Sequence, residues 1–386
     1  MTRNATRILI APDKFKGSLS ALEVAQNIAA GLREVLPKAK IDIAPMADGG
    51  EGTAEVICDA LKGAWVACKA HDPLSREIDC RFGYIENKKL AVIEMSEAAG
   101  MRRVQPNERD VDLASTFGVG EMILEAARHG AREIIIGLGG SATNDEGFGM
   151  ARSLGFRFFA GDQELSGAMS ELQKLTRIGK PKDVEALVPS AYSKSRRLTQ
   201  PPLQRPLPKI IAAADVRNPL LGENGATRVF GPQKGATEDK IDILERALTR
   251  MADVVAKDLG VDYRDEPGAG AAGGLGFGLM SFCAAKIRPG FDVVAEAIEL
   301  KSKMKDVDLV ITGEGSLDRQ TLEGKTPAGV ARLAREVGKR VFAIVGRASE
   351  DREPRELFDG VYELGGSIPQ ARELLREKAR ELAKSL

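Results

Sequence analysis

The sequence predicts an α/β fold: one domain built on a parallel sheet, assembled from both ends of the chain, with a second α/β domain inserted into it. Three observations predict it. Short apolar runs alternate with helical apolar periodicity at the start of the chain, and the same rhythm returns near its end. Between them the pattern changes to the alternation of antiparallel strands. The spacing places residues 1–64 and 287–386 in the outer domain and 65–286 in the inserted one. At 386 residues, 43% hydrophobic and 29% charged, the chain is long enough for two such cores.

Taken in order, Ile8-Leu9-Ile10-Ala11 reads as a buried strand stopped by Pro12. Ser20 and Glu23 then form a capping box for a helix in which Ala25, Ile28, Ala29, Leu32, Val35 and Leu36 share a face until Pro37. Residues 41–44 are a second strand and 52–61 a second helix. In the middle, residues 65–68, 80–85 and 90–95 alternate like antiparallel strands, 115–129 are helical, and 133–136 and 210–213 are apolar strands. Towards the end, 307–312, 340–345 and 361–364 read as strands and 327–337 as a helix; a last amphipathic helix carries Leu374, Leu375 and Leu382. Residues 179–208 hold six of the eighteen prolines and the basic residues Lys194, Arg196 and Arg197. A solvated surface excursion and a lid or partner-binding segment both fit that composition.

Composition excludes several chemistries. Fifty-six Lys and Arg balance fifty-six Asp and Glu, leaving no net field to favour nucleic acid or an acidic membrane. The two histidines, His71 and His129, stand too far apart for HExxH or multi-histidine zinc sites, and no GxSxG elbow is present. Cys58, Cys68, Cys80 and Cys283 make no CxxC and read as reduced core thiols. The first apolar run is too short for a signal peptide, and the longest uncharged stretch, 267–285, is too glycine-rich for a good membrane helix. A soluble, cytoplasmic protein with neither a nucleic-acid nor a membrane partner is expected.

The chemistry is expected where strands run into polar loops. Four parallel strands lead to Asp13-Lys14-Phe15-Lys16-Gly17-Ser18, to Asp48-Gly49-Gly50-Glu51-Gly52-Thr53, to Gly313-Glu314-Gly315-Ser316-Leu317-Asp318 and to Gly346-Arg347-Ala348-Ser349. In an open parallel sheet such loops share the carboxyl edge, where ligands bind. The first two also precede helix N-termini, which favour anions. Residues 137–147, rich in glycine, hydroxyls, Asn144 and Asp145, follow a strand as well, as does the segment from Ala214 and Asp215 to Leu220. The glycine-rich run 268–276 fits either a second phosphate cradle or tight packing between domains. Gly324-Lys325-Thr326 looks like the end of a P-loop, but Arg319 occupies the position of the required upstream glycine. Carboxylates (Asp13, Asp48, Asp145, Asp215, Glu314, Asp318), lysines and a scarcity of histidine suit magnesium-assisted phosphoryl transfer.

At these residues the sequence resembles the bacterial glycerate kinase family (type I). The motifs are Ala11-Pro-Asp-Lys-Phe-Lys-Gly-Ser-Leu19, Ala47-Asp-Gly-Gly-Glu-Gly-Thr53, residues 137–147, Asn218-Pro-Leu, Phe230-Gly-Pro-Gln-Lys-Gly235, residues 268–276 and Ile311-Thr-Gly-Glu-Gly315. The resemblance implies a Rossmann-like parallel-sheet domain with a second α/β domain inserted in it and the active-site cleft between them. It implies transfer of phosphate from ATP to D-glycerate with Mg2+, and favours 2-phosphoglycerate over the 3-isomer. On that reading Lys14 and Lys16 hold an anion, and Asp48 and Asp215 serve as metal ligand or general base. Ser141, Thr143 and Asn144 orient substrate, while Glu314, Asp318 and Lys325 complete the site; Asp318 is a further metal candidate. Gly49, Gly50, Gly139, Gly140, Gly270, Gly273 and Gly274 would let the backbone approach the nucleotide. Departures from the family pattern are Glu146 for glycine, Arg217 for an acidic residue and Ser316 for the more usual arginine, and the last two bear on acceptor choice. A kinase for another small hydroxy acid and a non-catalytic nucleotide-binding module are the competing readings.

Overall fold

A computed structural model describes residues 6–181, 207–319, 321, 325–349, 351–365 and 370–386. The basic, proline-rich run singled out above falls largely outside them. The chain divides into two compact units, Met1–Leu61 with Pro289–Leu386, and Lys62–Arg288. Among the described residues no helix is long and apolar enough to cross a membrane.

The first unit is built on five strands, all parallel, in the order Gly360–Glu363, Arg340–Val345, Leu309–Thr312, Arg7–Ile10, Lys40–Ile43. The chain leaves the Arg7–Ile10 strand towards one edge and, after the insertion, adds its remaining strands on the other side. That reversal between Arg7–Ile10 and Leu309–Thr312 is a topological switch point, where two diverging connections open a crevice at the carboxyl edge. Near-continuous burial of Ile8, Leu9, Ile10, Leu309, Val310 and Ile311 is what a parallel strand covered on both faces requires.

Helix Ala21–Val35 starts at Ser20, whose Oγ accepts from the Glu23 amide while the Glu23 carboxylate accepts from the Ser20 amide, the capping box read from the sequence. Its buried stripe of Val24, Ala25, Ile28 and Leu32 packs with Leu375, Ala379 and Leu382 of the last helix, Ala371–Ser385. The two helices cross at Gly31, where a Cβ would stand 2.3 Å from the Arg376 carbonyl oxygen. Arg376 also donates to the Asn27 side chain at 2.9 Å, and Arg372 and Arg380 pair with Glu23 and Glu34.

The second unit carries a six-stranded mixed sheet, Lys286–Arg288, Lys209–Ala213, Glu133–Gly137, Leu90–Glu94, Glu77–Ile85, Ala64–His71. Its first four strands are parallel and the last three form an antiparallel meander, so this sheet grows in chain order without a reversal. Helices Phe117–Arg128 and Glu238–Leu259 bury Val119, Ile123, Leu248 and Met251 in its core. This mixed α/β architecture is the fold class expected from the sequence.

Because the first and last helices touch backbone to backbone, the crossing tolerates no side chain. Gly31→Val is expected to lower unfolding stability by about 1–3 kcal/mol in urea denaturation. An unchanged midpoint would mean that the crossing does not hold the first unit together.

Candidate functional site

The switch point gathers the most perturbed groups of the first unit. The Ala11 amide still donates to Ile311, but beyond it the two strands diverge into loops joined by Asp13 N–H to the Gly313 carbonyl (2.8 Å) and Thr312 Oγ1 to the Ala11 carbonyl (2.8 Å). Asp13 is buried there. One of its oxygens accepts from the Lys14 amide, and the other from Thr326 Oγ1 at 2.6 Å, at the start of helix Thr326–Glu336. Burial, and then the charge of Asp48, push its carboxyl up to about 6. Across the same loops Glu314 is buried and accepts from Thr321 Oγ1 at 2.8 Å; burial pushes it up to about 7 against the pull of Thr321 and Lys325. Lys325 lies 3.7 Å from Asp318.

The second βα loop of this unit, after Lys40–Ile43, turns at Asp48. Asp48 Oδ1 accepts from the Gly50 amide at 3.1 Å, and Thr53 Oγ1 closes onto the Gly50 carbonyl at the head of helix Thr53–Leu61. Gly49 turns with φ 88°, and the Lys14 ammonium reaches across to the Glu51 carbonyl. Gly290 sets the depth of this loop, since a Cβ there would lie 1.9 Å from the Asp48 carbonyl oxygen. The structure therefore brings together Lys14, Asp48, Gly49, Gly50, Glu314, Asp318 and Lys325 on adjoining loops of one unit, with the exposed Lys16 on the first of them.

The sequence marks Asp13 as one of six candidate carboxylates, directly after the central strand and its Pro12 stop, without singling it out as the base. Its partner Thr326 is 313 positions away, so no local pattern announces the pair. The same edge holds a second feature the sequence concealed. Ser316-Leu317 and Arg347-Ala348 pair as short parallel strands, and Arg347 Nε donates to Ser316 Oγ at 3.2 Å. A guanidinium thus stands at Ser316 after all, supplied by the neighbouring loop.

In the second unit the predicted residues fall on the loop after Glu133–Gly137. Gly140 turns it with φ 76°, and it is stitched to residues 99–101 by the Met101 and Ala142 amides. Gly139 lies just upstream. Ser141 Oγ contacts Thr143 Oγ1 and accepts from the Thr143 amide. Thr143 and Asn144 are fully buried; the Thr143 carbonyl accepts from Lys234 Nζ at 2.6 Å, and the Asn144 amide donates to Thr227 Oγ1. Burial holds the Lys234 ammonium down to about 7. Asp145 accepts from Thr116 N–H and Oγ1 and from the amides of Gly147 and Gly149, which makes it the internal anchor of the loop. Glu146 is buried at φ 53°, a left-handed conformation that costs about 1–2 kcal/mol for a residue with a Cβ. Neither of its carboxyl oxygens has a hydrogen-bond partner, and burial raises it well above the usual carboxylate range.

Of the two readings of the 268–276 run, the geometry displays close packing, and it lies within this unit. A Cβ at Gly273 would meet the Thr143 carbonyl at 2.0 Å, at Gly270 the Pro219 carbonyl at 2.3 Å, and at Gly274 the Glu146 Cα at 2.8 Å. Asp215 sits half-buried just past strand Lys209–Ala213, and Arg217 is exposed beside it.

The sequence matches the model of the glycerate kinase family over residues 8–386. It is 40% identical to a glycerate kinase of Halalkalibacterium halodurans, with 97% of each chain covered. It is 42% identical to the glycerate 2-kinase of Escherichia coli, over 89% of this chain and 86% of that one. The crystal structure of a Salmonella typhimurium LT2 protein assigned as glycerate kinase 2 superposes with a TM-score of 0.83 at 40% identity, covering 99% and 98% of the two chains.

Glu314 makes stability depend on pH in a definite direction. Its carboxyl titrates near 7 when folded against 4.5 ordinarily, so its contribution is fully present below pH 4.5 and is lost as pH rises through about 7. Denaturation at pH 5 and pH 8 should show the unmodified protein losing on the order of 3 kcal/mol relative to Glu314→Gln over that window. Parallel pH profiles for the two proteins would contradict a buried, neutral Glu314.

Proposed function

The chain belongs to the glycerate kinase family, and on that footing we propose that it transfers the γ-phosphate of ATP to the 2-hydroxyl of D-glycerate, giving 2-phosphoglycerate. A match running through residues 8–386 carries the reading. The name of the Escherichia coli relative, glycerate 2-kinase, supports the 2-isomer. The switch-point cluster supplies the chemistry the reaction needs.

Phosphoryl transfer asks the protein mainly for positioning and for charge neutralisation. Lys14, beside the head of helix Thr53–Leu61, and Lys16 on the exposed turn offset the charge of bound anions. Asp13 takes the proton of the attacking hydroxyl. A carboxyl held near 6 is ionised at neutral pH yet basic enough to accept a proton, and its bonds to Thr326 and the Lys14 amide fix its orientation. Asp48 contributes by raising the proton affinity of Asp13. Within the second unit Ser141 is our candidate for orienting substrate, and Thr143 and Asn144 hold its loop in shape.

The donor set suits magnesium, which takes hard oxygen ligands and keeps several waters. Among the described residues no three Asp, Glu, His or Cys side chains form a ready-made metal cage. One or two carboxylates with the nucleotide's phosphates suffice, and Asp48 in the first unit and Asp215 in the second are our candidates. The metal, when bound, neutralises charge on the phosphates. Asp318 faces Lys325 and positions that lysine.

The assay that tests this reading is ADP release with ATP and D-glycerate, followed by coupling of the product to enolase alone. Turnover with enolase-competent product is expected. Folded protein without turnover would overturn the kinase reading, and turnover without an enolase signal would replace the 2-isomer by the 3-isomer. A panel of small hydroxy acids tests Arg217 and the Ser316–Arg347 pair, with glycerate expected as the best acceptor. Asp13→Asn and Lys16→Ala should each lower kcat roughly a hundredfold or more.

A further inference from the structure

The first unit contains a cavity of about 420 Å³ that extends from Asp13 and Lys14 into a region with no role in the proton transfer. It opens where Asp13 and Lys14 leave the central strand and continues between the 43–47 loop and helix Thr53–Leu61. Leu22, Ile43, Pro45, Met46 and Val56 give it apolar walls. A three-carbon hydroxy acid, polar on every side, has nothing to offer those walls. A planar heteroaromatic ring does, and the volume falls within the range of small-molecule and cofactor sites.

The charged lining is mixed: Asp13, Lys14 and Glu51 stand at one end, Glu55 and Asp59 follow along the helix, and Lys303 joins them. Lys14 stands at the N-terminal end of helix Thr53–Leu61, where the helix dipole favours an anion. Glu55 and Asp59, four residues apart on the same helix, line the cavity further along it. From Thr53 to Asp59 the helix rises about 9 Å. Lys14 and the helix N-terminus favour a polyphosphate at that end, and the cavity continues from it to Glu55 and Asp59. There, two carboxylates are placed to accept hydrogen bonds from hydroxyl and amino groups.

We propose that this cavity is the nucleoside pocket of the enzyme, with the purine against Ile43, Pro45, Met46 and Val56, the sugar hydroxyls towards Glu55 and Asp59, and the phosphates reaching Lys14 and Asp13. The inference rests on the kinase reading, and it makes the nucleotide a ligand of the first unit rather than of the glycine-rich loops of the second. The purine is recognised chiefly by apolar contact, so the pocket accepts ATP and other purine nucleoside triphosphates of the same shape.

Two measurements test it on the full-length protein. Photolabelling with an azido-adenine analogue of ATP, competed by ATP and mapped by peptide mass spectrometry, should place the label within residues 20–60. Ala60, an exposed residue of the lining, can be enlarged without disturbing the core. Ala60→Trp should raise KM for ATP at least roughly tenfold while KM for glycerate stays within about twofold, and Asp59→Lys, also at an exposed position, should weaken ATP in the same sense. Label mapping to residues 137–147 or 268–276, or an unchanged KM for ATP in both variants, would overturn the pocket and leave the kinase reading standing. Neither labelling nor turnover would overturn both.

Discussion

The pairing of Arg7–Ile10 with Leu309–Thr312 is the interaction on which the first unit depends. One of its ties, from Thr312 Oγ1 to the Ala11 carbonyl, joins residues 301 positions apart. Chain entropy does not forbid such a contact, because closure cost grows only with the logarithm of loop length, and the inserted unit folds its own residues compactly. Burial makes the pairing firm, since these strands are covered on both faces. It also creates the switch point and thereby decides where the crevice lies.

Placing carboxylates at that crevice has an electrostatic consequence. Asp13 and Glu314 come out of water together, and desolvation outweighs the hydrogen bonds from Thr326, Thr321 and the Lys14 amide. Both therefore hold protons more readily than ordinary carboxylates. On the proposed function this suits a nucleotide site: less negative charge would oppose the phosphates, and one carboxylate would be placed to accept a proton near neutral pH. The second unit uses the same principle for architecture, with Asp145 sustained by four hydrogen bonds and Lys234 held against the Thr143 carbonyl.

Much of this was legible in the sequence because it is written locally. Apolar runs of four or five residues followed by Gly, Asp and Lys mark the ends of parallel strands, and Ser20 with Glu23 marks a helix start to the residue. What escaped was long-range. Asp13 is set apart by its bond to Thr326 and by its burial, neither of which its neighbours in sequence reveal. Thr143 and Asn144 look like substrate ligands in a loop of hydroxyls and glycines, yet their side chains face inward, because that loop is pressed against 270–274 and Lys234. The glycines of that run look alike in sequence whether they admit a phosphate or a neighbouring carbonyl. Arg347 restores the charge missing at Ser316 through a two-residue strand pair too short to show a period.

On the proposed function a buried Asp13 at the switch point is the proton acceptor, and the pH dependence of kcat/KM tests this most directly. The account predicts a rate that rises with pH through an apparent pKa near 6, with that limb abolished in Asp13→Asn and retained in Glu314→Gln. A rate independent of pH between 5 and 7, or an acid limb unchanged in Asp13→Asn, would contradict it.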